Sequence, residues 1–180
     1  MSRSRQIILG VTASIAVHRA LDIASKLRKR GDHVAVVMTP NATRLVAPVT
    51  FQAVALSKVY HDMWELTSDF DHDHIRMAQS GEVLLIAPAS ASTIGKLAAG
   101  IYDNVLLTTA AAFQGKKLLA PAMNWRMWEN PIVRDNVDKL ARHGWTIVGP
   151  ASGDLACGEK GPGRLADVDE ILQALDLALA

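Results

Sequence analysis

The chain has 180 residues, 49% hydrophobic and 21% charged, and 19 Lys and Arg against 18 Asp and Glu leave a formal charge of +1. That length suits one domain with a full core, the apolar share excludes disorder, and the near-neutral balance argues against a protein held to nucleic acid by phosphate contacts. A lone cysteine, Cys157, excludes an internal disulfide and a cysteine-rich zinc framework, leaving a reduced, cytoplasmic-type α/β domain as the expectation.

Arg3 and Arg5 ahead of Ile7–Val11 imitate a secretory leader, but Thr12 and Ser14 break the apolar run. Residues 5–11 read instead as a buried first strand. No stretch approaches the roughly 18 apolar residues of a membrane helix. Residues 14–30 set Ile15, Ala16, Ala20, Ile23, Ala24 and Leu27 at helical spacing. The basic residues Lys26, Arg28, Lys29 and Arg30, followed by Gly31, give that helix a fitting end. Residues 33–38 form a second buried strand, so strand, helix and strand make one βαβ unit with parallel pairing. Further along, strands are predicted over 82–87, 116–120 and 145–148, and helices over 93–99, 103–113, 131–143 and 167–179. Alternation of this kind implies a single doubly wound α/β domain, Rossmann-like or flavodoxin-like, a parallel sheet with helices on both faces. Two segments stand outside the scheme. Residues 60–74 are acidic and His-rich, and 149–164 hold five glycines and two prolines. Both are expected to be long functional loops beside strand ends, the second a mobile clamp over substrate.

The first strand–helix turn, Gly10-Val11-Thr12-Ala13-Ser14, lacks the G-x-G-x-x-G spacing of a dinucleotide site. It offers hydroxyls and backbone N–H groups at a helix N-terminus, which suit a single phosphate. Thr39-Pro40-Asn41 and Ser90-Ala91-Ser92-Thr93 follow two other strands. One such turn is explained by helix capping alone; three on one sheet edge point to a mononucleotide phosphate. Asp71-His72-Asp73-His74 invites a metal, since His-x-His on a strand puts both rings on one face. No third ligand stands at a set spacing, so no metal is assigned, and a single histidine serving as acid or base is preferred. His18, His33, His61 and His143 read as structural. Cys157 lies in the glycine-rich segment, with Lys160 and Arg164 near enough to favour its thiolate. In Pro121-Ala122-Met123-Asn124-Trp125-Arg126-Met127-Trp128, Met127 and Trp128 read as packing, whereas Asn124 at a strand end is placed to bind a ligand.

Pro121-Ala122-Met123-Asn124-x-x-Met127-Trp128, with Pro88–Thr93 and His74-Ile75, resembles the homo-oligomeric flavin-containing cysteine decarboxylases over essentially the whole chain. Ala156-Cys157-Gly158-Glu159 with Gly161-x-Gly163-Arg164 is similar to the branch that acts on 4′-phosphopantothenoylcysteine in coenzyme A biosynthesis. The resemblance implies FMN held by Ala13, Ser14, Thr39, Asn41, Ser90, Ala91, Ser92 and Thr93, with Ala122 near the ring. It implies His74, Asn124 and Cys157 as catalytic residues, and Asn124, Met127, Ala156 and Arg164 as substrate contacts. A homotrimer, or an assembly of trimers, is implied, with the flavin at the subunit contact, His74 from one subunit and Asn124 from its neighbour. Ser92 stands where the family usually has Asn, and Ala13 where Gly is common. Many relatives carry a fused ligase domain, for which 180 residues leave no room, so the expectation is either a stand-alone enzyme or the N-terminal part of a longer protein.

The chemistry implied runs through a thioaldehyde, which gives the departing carboxylate an electron sink, to an enethiolate, with no net redox change. His74 would act as base, Asn124 would hold the carboxylate, and Cys157 would return a proton. The rival readings are a decarboxylase of a peptidyl C-terminal cysteine, a regulatory flavoprotein with little turnover, and a metal hydrolase built on His72 and His74.

Overall fold

The computed structural model describes residues 4–64, 73–154 and 158–180, with only the backbone at 73 and 74. The predicted first unit is present: β1 (Gln6–Val11), α1 (Val17–Lys29) and β2 (His33–Met38). A 3-10 turn (Ala42–Arg44), α2 (Pro48–Ala55) and the two-residue β3 (Val59–Tyr60) follow. Then come α3 (Asp73–Ser80), β4 (Val83–Ala89), α4 (Ala91–Ala99), α5 (Val105–Ala112) and β5 (Lys116–Pro121). The chain continues through α6 (Trp125–Trp128), α7 (Pro131–Arg142) and β6 (Trp145–Ile147) to β7 (Ala151–Asp154), β8 (Lys160–Arg164) and α8 (Val168–Leu179).

Six strands pair in parallel in the order β3-β2-β1-β4-β5-β6. Their near-continuous apolar sequences are those of strands covered on both faces. Alternate residues serve opposite cores. Ile7, Leu9 and Val11 join a cluster with Ala20 and Ile23 of α1, Phe51 of α2 and Ile171, Leu172 and Leu175 of α8. Ile8, Leu84, Ile86 and Leu119 face a second cluster with Met77 of α3, Ile94 of α4, Leu106 of α5 and Val137 and Leu140 of α7. The doubly wound α/β expectation therefore holds. Helix starts follow capping chemistry: Ser90, Asn104, Asn124 and Asn130 each accept a hydrogen bond from a backbone N–H of the helix they begin.

The structure revises the second of the two segments expected to be loops and touches only the ends of the first. Of 60–74, residues 65–72 lie outside the described residues, and Tyr60 ends β3. Asp73 and His74 begin the helix Asp73–Ser80, so the strand alternation considered for His72 and His74 does not extend to His74. Within 149–164, β7 and β8 form an antiparallel ribbon separate from the main sheet. Its composition conceals it, because glycine and proline are poor strand formers. Here they permit close packing instead. Gly161 lies where an added Cβ would come within 2.9 Å of Trp125 Cβ, and Gly163, at φ +129°, where one would stand 2.3 Å from the Met123 carbonyl oxygen.

Candidate active site

Between β1 and β4 the winding of the sheet reverses, and α/β sheets leave a crevice beyond the strand ends at such a point. A cavity of about 660 Å³ opens there. Ala13, Ser14, Ile15, Ala16, His18 and Arg19, from the turn after β1 and the start of α1, make one wall. Ser90 and Ala91, at the start of α4, make the next. Ala122, Met123, Asn124 and Met127 follow β5, and Asp154, Gly163, Arg164 and Leu165 close the outer side from the ribbon.

Thr12 fastens the two central strand ends beneath this cavity. Its fully buried hydroxyl donates to the Pro88 carbonyl at 2.7 Å and accepts from the Ser90 N–H at 2.8 Å. Several other hydroxyls at the strand ends are also engaged locally. Ser14 Oγ accepts from the Ala16 N–H, and Thr39 Oγ1 from the Ala42 N–H. Ser90 Oγ accepts from the Thr93 N–H and donates to Thr93 Oγ1. The capping explanation thus holds at Ser90, the N-cap of α4, whereas Ser14 stands in the turn before α1, whose N-cap is Ala16; both serines line the cavity.

Of the expected cofactor residues, Ala13, Ser14, Ser90, Ala91 and Ala122 meet at the cavity. Thr39 is buried at the end of β2, Asn41 and Ser92 are exposed, and Thr93 is buried under the α4 cap; none of these four is among the lining residues. Asn124, Met127 and Arg164 of the substrate set do line it. Asn124 Oδ1 accepts from the Arg126 N–H at 2.9 Å. The packing reading of Met127 and Trp128 divides between them. Trp128 is buried under the Arg134 guanidinium, 4.5 Å from the ring centroid, whereas Met127 is 48% exposed on the cavity wall. Ala156, Cys157, Asp71 and His72 lie outside the described residues, as does the side chain of His74. His18, read from sequence as structural, lines the cavity, and its Nδ1 stands 3.0 Å from the Ile15 carbonyl. Ile15, Arg19, Asp154 and Leu165 went unmarked too. Only the register of α1 and the folding of the ribbon bring them here, and neither leaves a motif.

The donor set fits a flavin mononucleotide. The starts of α1 and α4 converge on one cavity, each offering backbone N–H groups and a serine, as an anionic phosphate requires. Ile15, Ala16, Ala91, Ala122, Met123 and Met127 supply apolar wall for a flat ring. Arg164 Nε, on the outer side, is buried with no hydrogen-bond partner among the described residues, an orphaned donor suited to a bound anion.

The family model described as Flavoprotein matches residues 1–179. The chain belongs to this family. It is 38% identical over 175 residues to the "probable phosphopantothenoylcysteine decarboxylase" of Streptococcus mutans, with 96% of this chain and 98% of that protein aligned. It is 39% identical over 173 residues to the coenzyme A biosynthesis bifunctional protein CoaBC of Bacillus subtilis, of which the match spans 43%. Among solved structures, the FMN-dependent cysteine decarboxylase SpaF superposes with a TM-score of 0.85 at 32% identity, covering 98% of both chains. A cysteine-to-serine mutant of PPC decarboxylase complexed with pantothenoylaminoethenethiol gives 0.86 at 27% identity, covering 97% of this chain and 98% of that one.

Proposed function

We propose that this flavoprotein is a carboxy-lyase that, with FMN bound, converts 4′-phosphopantothenoylcysteine and a proton to 4′-phosphopantetheine and CO₂. The observation that carries the reading is the cavity at the sheet's switch point, where Asn124 of the Pro-Ala-Met-Asn motif faces the serine-bearing starts of α1 and α4. Likeness to the Streptococcus mutans protein over nearly the whole of both chains supports the substrate.

Loss of CO₂ leaves an electron pair on carbon, and a cysteine end has no sink for it until the carbon bearing sulfur is oxidised. Bound FMN supplies a reversible two-electron acceptor for that carbon, so no external oxidant is consumed. Ser14 and Ser90, with the backbone N–H groups beside them, hold its phosphate. Ala122 would lie near its ring, and Met127 would contact the substrate. Thr39, Asn41, Ser92 and Thr93 remain assigned to FMN in this reading by the resemblance alone, since they stand outside the cavity lining. Asn124 holds the carboxylate so that the breaking C–C bond keeps one orientation. His74 takes the proton released as the sulfur-bearing carbon is oxidised, and Cys157 returns one to the product. Arg164 and the ribbon close the outer side over the substrate, and Ala156 is assigned as a substrate contact by the resemblance. A homotrimer belongs to the reading as well: Ile15, 67% exposed, and Met127 are apolar wall that a second copy would cover.

The test is mass spectrometry of the FMN-loaded protein incubated with 4′-phosphopantothenoylcysteine. Wild type is expected to yield 4′-phosphopantetheine. Cys157→Ser is expected to release CO₂ in its first turnover and stop short of the saturated thiol. Substrate returned intact by wild type refutes the reading. Normal cycling by the variant removes Cys157 from the mechanism.

A further inference from the structure

The ribbon strand β8 and Glu159, the residue that leads into it, grip a single short stretch of chain, residues 123–126, from both sides of Asn124. On one side the Met123 N–H donates to the Gly163 carbonyl at 2.9 Å, a contact that the missing Cβ of Gly163 allows. On the other side Glu159 receives two donors from consecutive residues. Trp125 Nε1 donates to Oε2 at 2.5 Å, and an Arg126 guanidinium N–H to Oε1 at 3.2 Å. The Arg126 guanidinium also stacks on the Trp125 ring, 5.2 Å from its centroid.

Those two residues open α6, a helix of four residues. A single turn has little stiffness of its own, because nucleation is the unfavourable part of helix formation. Its orientation is therefore set by what fastens it from outside: the buried Trp128 at its far end, and the contacts of Glu159 at its first turn. Asn124 depends on that orientation directly, since its Oδ1 accepts from the Arg126 N–H. We propose that Glu159 is a positioning residue for Asn124: by holding Trp125 and Arg126 together it fixes the first turn of α6, and so aims the Asn124 side chain into the cavity. The inference rests on Asn124 being the group that holds the substrate carboxylate.

The two bonds differ in weight. Arg126 is 70% exposed and Glu159 42%, so their ion pair is screened and contributes little. The indole donor is half-buried and meets a charged acceptor, the stronger kind of hydrogen bond. The Trp125 contact is thus the one that matters, and removing Arg126's charge alone should be nearly silent.

The test measures binding to the FMN-loaded protein of two ligands: 4′-phosphopantothenoylserine, which keeps the carboxylate but has no thiol to oxidise, and the same molecule without its carboxyl group. Wild type should prefer the first. Glu159→Ala should lower that preference about tenfold, the scale of one lost hydrogen bond to a charged group, while binding of the second ligand is unchanged. Trp125→Phe, which keeps the ring and loses only the N–H, should do the same, and it decides the matter if Glu159→Ala does not fold. Glu159→Gln, which retains an uncharged acceptor, should lose less of the preference than Glu159→Ala, and Arg126→Ala should stay close to wild type. An undiminished preference in Glu159→Ala and Trp125→Phe overturns the proposal. So does equal weakening of both ligands, because Glu159 would then merely fasten the ribbon. A wild type indifferent to the carboxylate overturns the role given to Asn124 and this proposal with it, a result distinguishable from either failure in the variants alone.

Discussion

Replacing Thr12 by Val removes one hydroxyl and leaves the shape nearly intact. The carbonyl of Pro88, buried within β4, then has no partner for the bond it accepts at 2.7 Å. Leaving such a group unsatisfied costs about 1–3 kcal/mol. The Ser90 N–H is half-buried at the cavity wall, where water reaches it, so its loss sits at the low end, about 1 kcal/mol. The sum is about 2–4 kcal/mol, and for a domain of this size each kcal/mol lowers Tm by roughly 2–4 °C. Urea unfolding of the flavin-free protein measures it, with ligand stabilisation excluded. The expected result is a lower midpoint at an unchanged m-value, whereas Thr12→Ser, which keeps the hydroxyl, loses little. If Thr12→Val stays within about 0.5 kcal/mol of wild type, the range of ordinary surface substitutions, the two groups have other partners and the reasoning fails.

Two further predictions concern the ribbon and the surface. Gly163→Ala forces a Cβ against the Met123 carbonyl at a backbone conformation that L residues avoid, a strain of about 1–3 kcal/mol before the clash is counted. Amide exchange should quicken across 151–154 and 160–164 while the β1 and β4 amides keep their protection; unchanged exchange in the ribbon would show that the seat on Met123 is dispensable. At the start of α5, the hydrogen bond from Lys96 Nζ holds the Asp103 carboxyl below the usual aspartate range. A depressed value means that any stabilisation is present above the unfolded pKa and fades as pH falls through the folded one, and at this exposed site screening keeps it small. In an NMR titration, Lys96→Met should raise the midpoint of Asp103; an identical midpoint in both proteins would disprove the assignment.

The first βαβ unit is legible because Ile and Val runs and a helical stripe from Ile15 to Leu27 carry periods of two kinds. α2 escapes the same reading, since only Phe51 and Ala55 of its residues are buried and the apolar stripe is too thin to register. α3 is masked in sequence by the acidic run that leads into it. The ribbon is the clearest case. Its strands have no alternation to read, and what fixes them is a neighbour distant in sequence, Trp125 under Gly161 and Met123 beside Gly163. In the site, Ser14 and Ser90 are legible because small hydroxyl residues recur at several strand ends of one sheet edge, more often than a single cap explains, and Asn124 because it closes a strand inside a specific motif. Arg19 and Asp154 look in sequence like any solvated charge, and only the cavity distinguishes them.

The α8 face also bears on how the molecule is made. Ile171, Leu172 and Leu175 complete the cluster that covers Ile7 and Leu9. The outer edge of that layer is tied by Arg5 to Asp176 and Lys26 to Asp169, pairs 171 and 143 residues apart. Contacts of such long separation are costly to close and form late. On the ribosome, α1 and α2 can cover their part of this side early. The part that α8 covers waits until nearly all of the chain is synthesised, and a stall before residue 168 would leave that apolar patch exposed.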